Sequence, residues 1–149
     1  MARRAAVWDI QLMEKRMTQQ EQNRSLVLEV YRSVEAGDFD RCRELVSPEC
    51  QTHIGGNVLD RDAWAGMGQM FMNAFPDGRH VWNLAEAVGE YVLLNGYFTG
   101  THTREFQGIP ATGKVVKFSL TLIDKVQQGK LVEHRADFDG AALIQQLAH

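Results

Sequence analysis

Apolar positions recur at three- to four-residue spacing in the first half of the chain and fall into long β-type runs in the second half, which predicts helices first and strands after. Leu26, Val27, Val30, Tyr31 and Val34 make one helical stripe. Thr18 followed by Glu21 has capping-box spacing, so this helix is expected to begin at Thr18 and to end at Gly37, which can take a left-handed turn. Asp38 caps a second short helix through Val46, which Ser47-Pro48 stops. A brief strand around Gln51 to Ile54 follows. Asp60 caps a third helix carrying Trp64, Met67, Met70, Phe71, Ala74 and Phe75, and Pro76-Asp77-Gly78 ends it. The segments at about 79–88, 91–103, 115–126 and 131–138 read as strands, joined by hairpin turns at Gly89-Glu90 and Gln127-Gln128-Gly129 and by a longer connection from Glu105 to Gly113. Asp139 then caps a last helix with Leu143, Ile144 and Leu147. Helices before an antiparallel meander give an α+β fold whose apolar helix faces pack on the sheet. Residues 1–17, with Ala6, Ile10, Met13 and Met17 at helical spacing, read as an N-terminal extension, and residues 18–149 as one domain.

Charge and composition narrow the partners. The chain has 149 residues and a formal charge of −3, with no basic cluster beyond Arg3-Arg4, so it lacks the concentrated positive surface that nucleic acid requires. No apolar run reaches the ~20 residues of a membrane span, and the N-terminus has no signal-peptide core, so a soluble cytoplasmic protein is expected. Cys42 and Cys50 are too few for a disulfide framework, and Cys42 is expected to pack on a helix. No pair of histidines has ligand spacing, so neither a metal nor another cofactor is expected.

Gly100-Thr101-His102-Thr103-Arg104-Glu105-Phe106-Gln107-Gly108-Ile109-Pro110-Ala111-Thr112-Gly113-Lys114, Gly129-Lys130-Leu131-Val132-Glu133-His134 and the terminal Gln145-Gln146-Leu147 resemble the SnoaL-like polyketide cyclase (ester cyclase) family of the nuclear transport factor 2-like superfamily. Glu35-Ala36-Gly37-Asp38-Phe39-Asp40 and Ala74-Phe75-Pro76-Asp77 fit it as well, and the resemblance runs from about Thr18 to the C-terminus. It implies a cone-shaped, curved antiparallel sheet packed against N-terminal helices, with an internal pocket for a small-molecule ligand. It also implies cofactor-free acid/base chemistry, in which an aspartate serves an intramolecular aldol closure, and a homodimer formed through the sheet face. That face is expected to carry either Val116, Phe118, Leu120 and Leu122 or the opposite set.

The sharpest chemical constellation lies in the last strand, where alternation puts Leu131, Glu133, Arg135 and Asp137 on one face and Val132, His134, Ala136 and Phe138 on the other. The acidic and basic row could be a solvent-facing ladder or a pocket wall. The resemblance turns it inward, because the position of Arg135 is commonly a pocket-lining aromatic in relatives. Arginine there departs from the family and suggests a more polar or anionic ligand. Asp137 is then the expected base, Arg135 and His53 hold the substrate or its oxyanion, and Glu133 orients them. His102, Trp64, Tyr97, Met67 and Phe71 are expected to line the pocket, whereas His80 and His134 are expected outside it and Asp139 serves as a helix cap. Gly108 to Lys114 lacks phosphate-loop spacing and reads as a rigid connection. The expected chemistry is that of an aldol-type cyclase, isomerase or hydrolase on a carbonyl-bearing, polyketide-like molecule. The alternative is a non-catalytic ligand-binding or interaction module of the same fold.

Overall fold

A computed structural model describes residues 17–149. The N-terminal extension expected at residues 1–17 lies outside the described residues, apart from the exposed Met17. Helices α1 (Gln19–Glu35), α2 (Phe39–Leu45) and α3 (Arg61–Ala74) lead into strands that end in α4 (Gly140–Ala148). The strands are β1 (Val46–Ile54), β2 (Asn57–Leu59), β3 (Arg79–Val88), β4 (Tyr91–Thr101), β5 (Val115–Gln127) and β6 (Lys130–Phe138), in the order β2-β1-β6-β5-β4-β3. The fold is α+β, with α1, α2 and α3 over the inner face of a curved six-stranded sheet and α4 against β5.

Local chemistry explains the boundaries. The capping box at α1 is complete: the Glu21 amide donates to Thr18 Oγ1 at 3.1 Å and the Thr18 amide to Glu21 Oε2 at 3.4 Å. Asp38, Asp60 and Asp139 each accept an amide proton from the third residue onward, and so cap α2, α3 and α4. The strand around residues 51–54 is longer than expected: it begins at Val46, which pairs with Leu131, and its ladder with β6 is interrupted by a register shift before Gln51. Pro48, which has no amide proton to give, sits inside that interruption. Two features lie beyond the sequence expectation. Gly55 and Gly56, at φ +56° and +81°, turn the chain into the short β2, and β1 runs parallel to β6, so the sheet is not a pure meander.

Along β5, Val116, Phe118, Leu120, Leu122, Asp124 and Val126 are all buried beneath the helices. The outward set, Val115, Lys117, Ser119, Thr121 and Ile123, is largely polar. Of the two sets expected for a dimer face, the Val116 row is therefore interior, and the outer face falls to the largely polar opposite set. From Phe106 to Ile109 the long connection forms a small hairpin that buries Phe106 against Phe71 and Phe75.

β6 ends its pairing where Phe138 meets Leu120, leaving the first half of β5 with an open edge. Gln146 of α4 closes it, donating from Nε2 to the Lys117 carbonyl at 2.7 Å and accepting the Lys117 amide at Oε1 at 2.8 Å. Gln146→Ala should cost about 1 kcal/mol, the net value of one to two hydrogen bonds at a site water can reach. Denaturant titration measures the cost, and faster amide exchange at Lys117 locates it; unchanged exchange there would mean the edge is held by something else.

Candidate functional site

A mostly apolar cavity lies between α1, α3 and the inner face of the sheet. It offers about 110 Å3, the scale of a single aromatic ring, and is partly open to solvent. Trp64, Met67 and Phe71 on α3 and Phe98, Phe118 and Phe138 on the sheet form its walls. Three polar side chains break this lining: Tyr31, His80 and His134.

His134 belongs to a buried network. Its Nδ1 lies 2.5 Å from Asp124 Oδ1, and the Tyr31 hydroxyl donates to Asp124 Oδ2 at 2.5 Å while sitting 3.2 Å from the same imidazole nitrogen. Asp124 is fully buried and His134 nearly so. Burial first, then the charge and hydrogen bond of Asp124, push the Tyr31 phenol well above its ordinary range, so it stays a proton donor. With both Asp124 oxygens accepting, the His134 proton is assigned to Nδ1 and Nε2 is left as an acceptor. No described residue hydrogen-bonds that Nε2. The indole of Trp64 stacks on the ring at 4.3 Å and 27°, fixing its plane. This is the geometry of an oriented base: a carboxylate sets the tautomer, an aromatic wall sets the plane, and one nitrogen remains for a ligand.

Both cysteines are buried, and Cys42 lines the cavity. Burial raises the Cys42 thiol, and burial followed by the Asp124 charge pushes Cys50 up to about 12, so neither is a thiolate nucleophile near neutrality. Among the described residues no cluster of three or more His, Cys, Asp or Glu is arranged to hold a metal ion, and no helix is long and apolar enough to cross a membrane.

The expected site residues divide sharply. Trp64, Met67 and Phe71 line the cavity. Glu133, Arg135 and Asp137 do not: they lie on the outer face of β6, with Arg135 Nε donating to Glu133 Oε1 at 2.7 Å. The correction has one cause. Val126 pairs with Leu131 but Lys125 pairs with Glu133, so Val132 is an extra, bulged residue. Leu131 points inward before the bulge, and His134, Ala136 and Phe138 point inward after it, reversing the alternation counted from Leu131. His134, expected outside, is therefore a cavity residue, and His80, also expected outside, enters the cavity from β3, where it pairs with the buried Phe98. His53 pairs laterally with Arg135 and shares its outer face. Tyr97 is also outside, with the Lys117 ammonium 4.0 Å from its ring centroid. His102 is buried but away from the cavity: its Nδ1 is 3.0 Å from Thr112 Oγ1 and accepts the Thr112 amide at 3.2 Å, pinning the long connection.

Asp124 and Tyr31 escaped the sequence expectation altogether. A signal was available for Asp124, which occupies an in-phase place in the alternating apolar row from Val116 to Val126. An acid in such a row must be hydrogen-bonded or functional. Tyr31 gives no such signal, since it sits in an ordinary helical stripe.

A family model described as SnoaL-like polyketide cyclase matches residues 25–147. Solved structures with the same fold include AclR of Streptomyces galilaeus, a candidate hydroxylase, at 24% identity and TM-score 0.80, covering 87% of this chain and 97% of that one. IdmH of Streptomyces antibioticus, a candidate polyketide cyclase, matches at 27% identity and TM-score 0.78, over 86% of this chain and 99% of its own. A candidate SnoaL-like polyketide cyclase of Jannaschia sp. CCS1 matches at 20% identity and TM-score 0.80, over 89% and 96%. No curated protein matches the chain significantly.

Proposed function

From the premise that this chain belongs to the SnoaL-like polyketide cyclase family, we propose that it is a cofactor-independent acid/base enzyme that acts on a carbonyl-bearing, polyketide-like small molecule in the cytoplasm. The observation that carries this reading is the His134 imidazole, backed by buried Asp124, with its Nε2 left for a ligand in an apolar cavity. In this reading the base is His134 with Asp124, in place of the Asp137 expected from the family resemblance.

In the proposed reaction His134 Nε2 removes a proton from the carbon next to a ligand carbonyl, and the electron pair moves onto the carbonyl oxygen. The resulting enolate carbon attacks a second carbonyl, forming the ring C–C bond. His134 then returns its proton to the new alkoxide, so no atom is lost and no redox partner is needed. Asp124 stabilises the imidazolium between these steps, and Trp64 supplies a favourable aromatic face for it. The cavity seats one ring, and the rest of a larger ligand extends through the open side. If the enolate is reprotonated at another carbon, the same parts give an isomerase.

Acetophenone, one ring with one enolisable carbonyl, is a direct probe. The protein should accelerate exchange of its methyl protons in D2O over enzyme-free buffer, and His134→Gln should remove the acceleration while keeping binding by thermal shift. Binding without exchange would identify a non-catalytic ligand-binding module. Failure of acetophenone and larger aromatic ketones to bind would sink the pocket reading. A homodimer through the sheet face stays part of the proposal on family grounds, and a monomer by sedimentation at micromolar concentration would count against it.

A further inference from the structure

A second imidazole in the cavity is anchored in a way that the proposed reaction has not used. His80 on β3 is a wall residue, and its ring lies parallel to the Trp82 indole at 5.3 Å and 7°. Glu35, the last residue of α1, accepts two bonds from it at one oxygen: the His80 amide at 2.6 Å and Nδ1 at 2.9 Å. Burial pushes the Glu35 carboxyl up, but its bonds to His80 and the nearby Arg32 charge outweigh burial and hold it below the usual carboxylate value. An ionised carboxylate only accepts, so Nδ1 carries the proton and Nε2 is the ring's remaining polar atom. Among the described residues nothing hydrogen-bonds His80 Nε2.

Helix geometry makes the two imidazoles a matched pair. Tyr31 and Glu35 are four residues apart on one face of α1, so the same face braces both sites: Tyr31 reaches Asp124 and His134, and Glu35 reaches His80. The Tyr31 ring separates them, its centroid 5.4 Å from that of His80 and 6.2 Å from that of His134. Tying α1 to β3 would need only the backbone amide of His80. A carboxylate that also fixes the ring tautomer, and an indole that fixes the ring plane, leave a directed polar atom on an otherwise apolar wall.

We propose that His80, positioned by Glu35 and Trp82, is a second ligand-holding group, which bonds an oxygen at the opposite end of a ring whose carbonyl meets His134. This rests on the reading of the cavity as a carbonyl-ligand site, and it adds the ligand class: a flat ring with hydrogen-bonding oxygens at both ends.

The test compares acetophenone with 4′-hydroxyacetophenone on the full chain. The wild type should bind the hydroxylated ketone about tenfold more tightly, the value of one added hydrogen bond. His80→Phe, which keeps an aromatic ring on Trp82, should erase that preference, bringing the ratio of the two affinities to about one. Preference retained in folded His80→Phe overturns the proposal, as does its absence in the wild type. Should the variant not fold, 15N-histidine spectra of the wild type decide: the His80 Nε2 signal should move with the hydroxylated ketone and stay put with acetophenone, and an unmoved His80 signal in both overturns the assignment. 4′-Hydroxyacetophenone that binds and perturbs only His134 leaves the acid/base reading standing while removing this one. If neither ketone binds, both readings fall.

Discussion

Asp124→Asn should slow proton exchange from acetophenone by about 10^2- to 10^4-fold, the range attributed to a positioned acid/base group, with a stability loss limited to about 1–3 kcal/mol. Asparagine has nearly the same shape, so the Tyr31 and His134 contacts at 2.5 Å can largely re-form. What it lacks is charge. If its amide nitrogen faces His134, Nδ1 must accept and the proton moves to Nε2, where it blocks base action. If its oxygen faces His134, the tautomer survives but the imidazolium formed during reaction has no carboxylate beside it. Both arrangements act on the rate far more than on binding, so acetophenone affinity should stay within a few fold. Asp124→Ala is the contrasting variant. It strands a buried phenol and a buried imidazole together, and breaking a buried charged contact in this way costs about 3–5 kcal/mol. Exchange kinetics alongside denaturant melts separate the two. An Asp124→Asn protein that exchanges at the wild-type rate would remove Asp124 from the mechanism and leave it a structural acid.

The elements were legible because their signals are local. Caps at Thr18, Asp38, Asp60 and Asp139, the left-handed positions at Gly37 and Gly129, and the long apolar rows each act within a few residues. The motifs behind the family resemblance are largely of this kind too. Asp77, for example, accepts the Thr101 amide and hydroxyl at 2.7 Å each, clamping the end of β4 to the turn after α3. What escaped depends on register, which no local signal sets. Strict alternation makes one slipped residue reverse every side chain beyond it, and the bulge at Val132 exchanged His134 for Arg135 at the cavity wall. The parallel pairing of β1 with β6 joins segments about eighty residues apart and was equally invisible. The apolar half of the site, on α3, was legible since helical spacing admits no such slip. Its polar half comes from four elements distant in sequence, α1, β3, β5 and β6, that meet only in the folded chain.

Gly96→Ala should be the most destabilising single-methyl change at a glycine, because the added Cβ would lie 1.9 Å from the Val81 carbonyl oxygen and 2.9 Å from its carbon. Those are backbone atoms of the neighbouring strand, so no rotamer change relieves the overlap. Gly96 pairs with Trp82 and the next pair is Leu84 with Asn95, which makes Asn83 a bulged residue that bends β3 towards Gly96 at this point. Alanine must therefore push β3 off β4 or remove the bulge. The cost should be at least about 3 kcal/mol, at the upper end of overpacking penalties, against a total stability of about 5–15 kcal/mol for a domain. At this chain length that corresponds to a melting temperature lower by roughly 10 °C. Gly66→Ala is the internal control: it sits in α3 with open space around the new methyl, and should stabilise by up to about 1 kcal/mol through helix propensity alone. The position of Gly96 also makes the effect specific to the cavity. Displacing Trp82 removes the surface on which His80 is stacked at 7°, while Asp124 and His134 stand on β5 and β6, away from the β3–β4 seam. Folded Gly96→Ala protein should accordingly lose its preference for 4′-hydroxyacetophenone before it loses acetophenone exchange. Wild-type stability in this variant would mean that the β3 bulge relaxes at no cost and that Gly96 does not hold the wall in place.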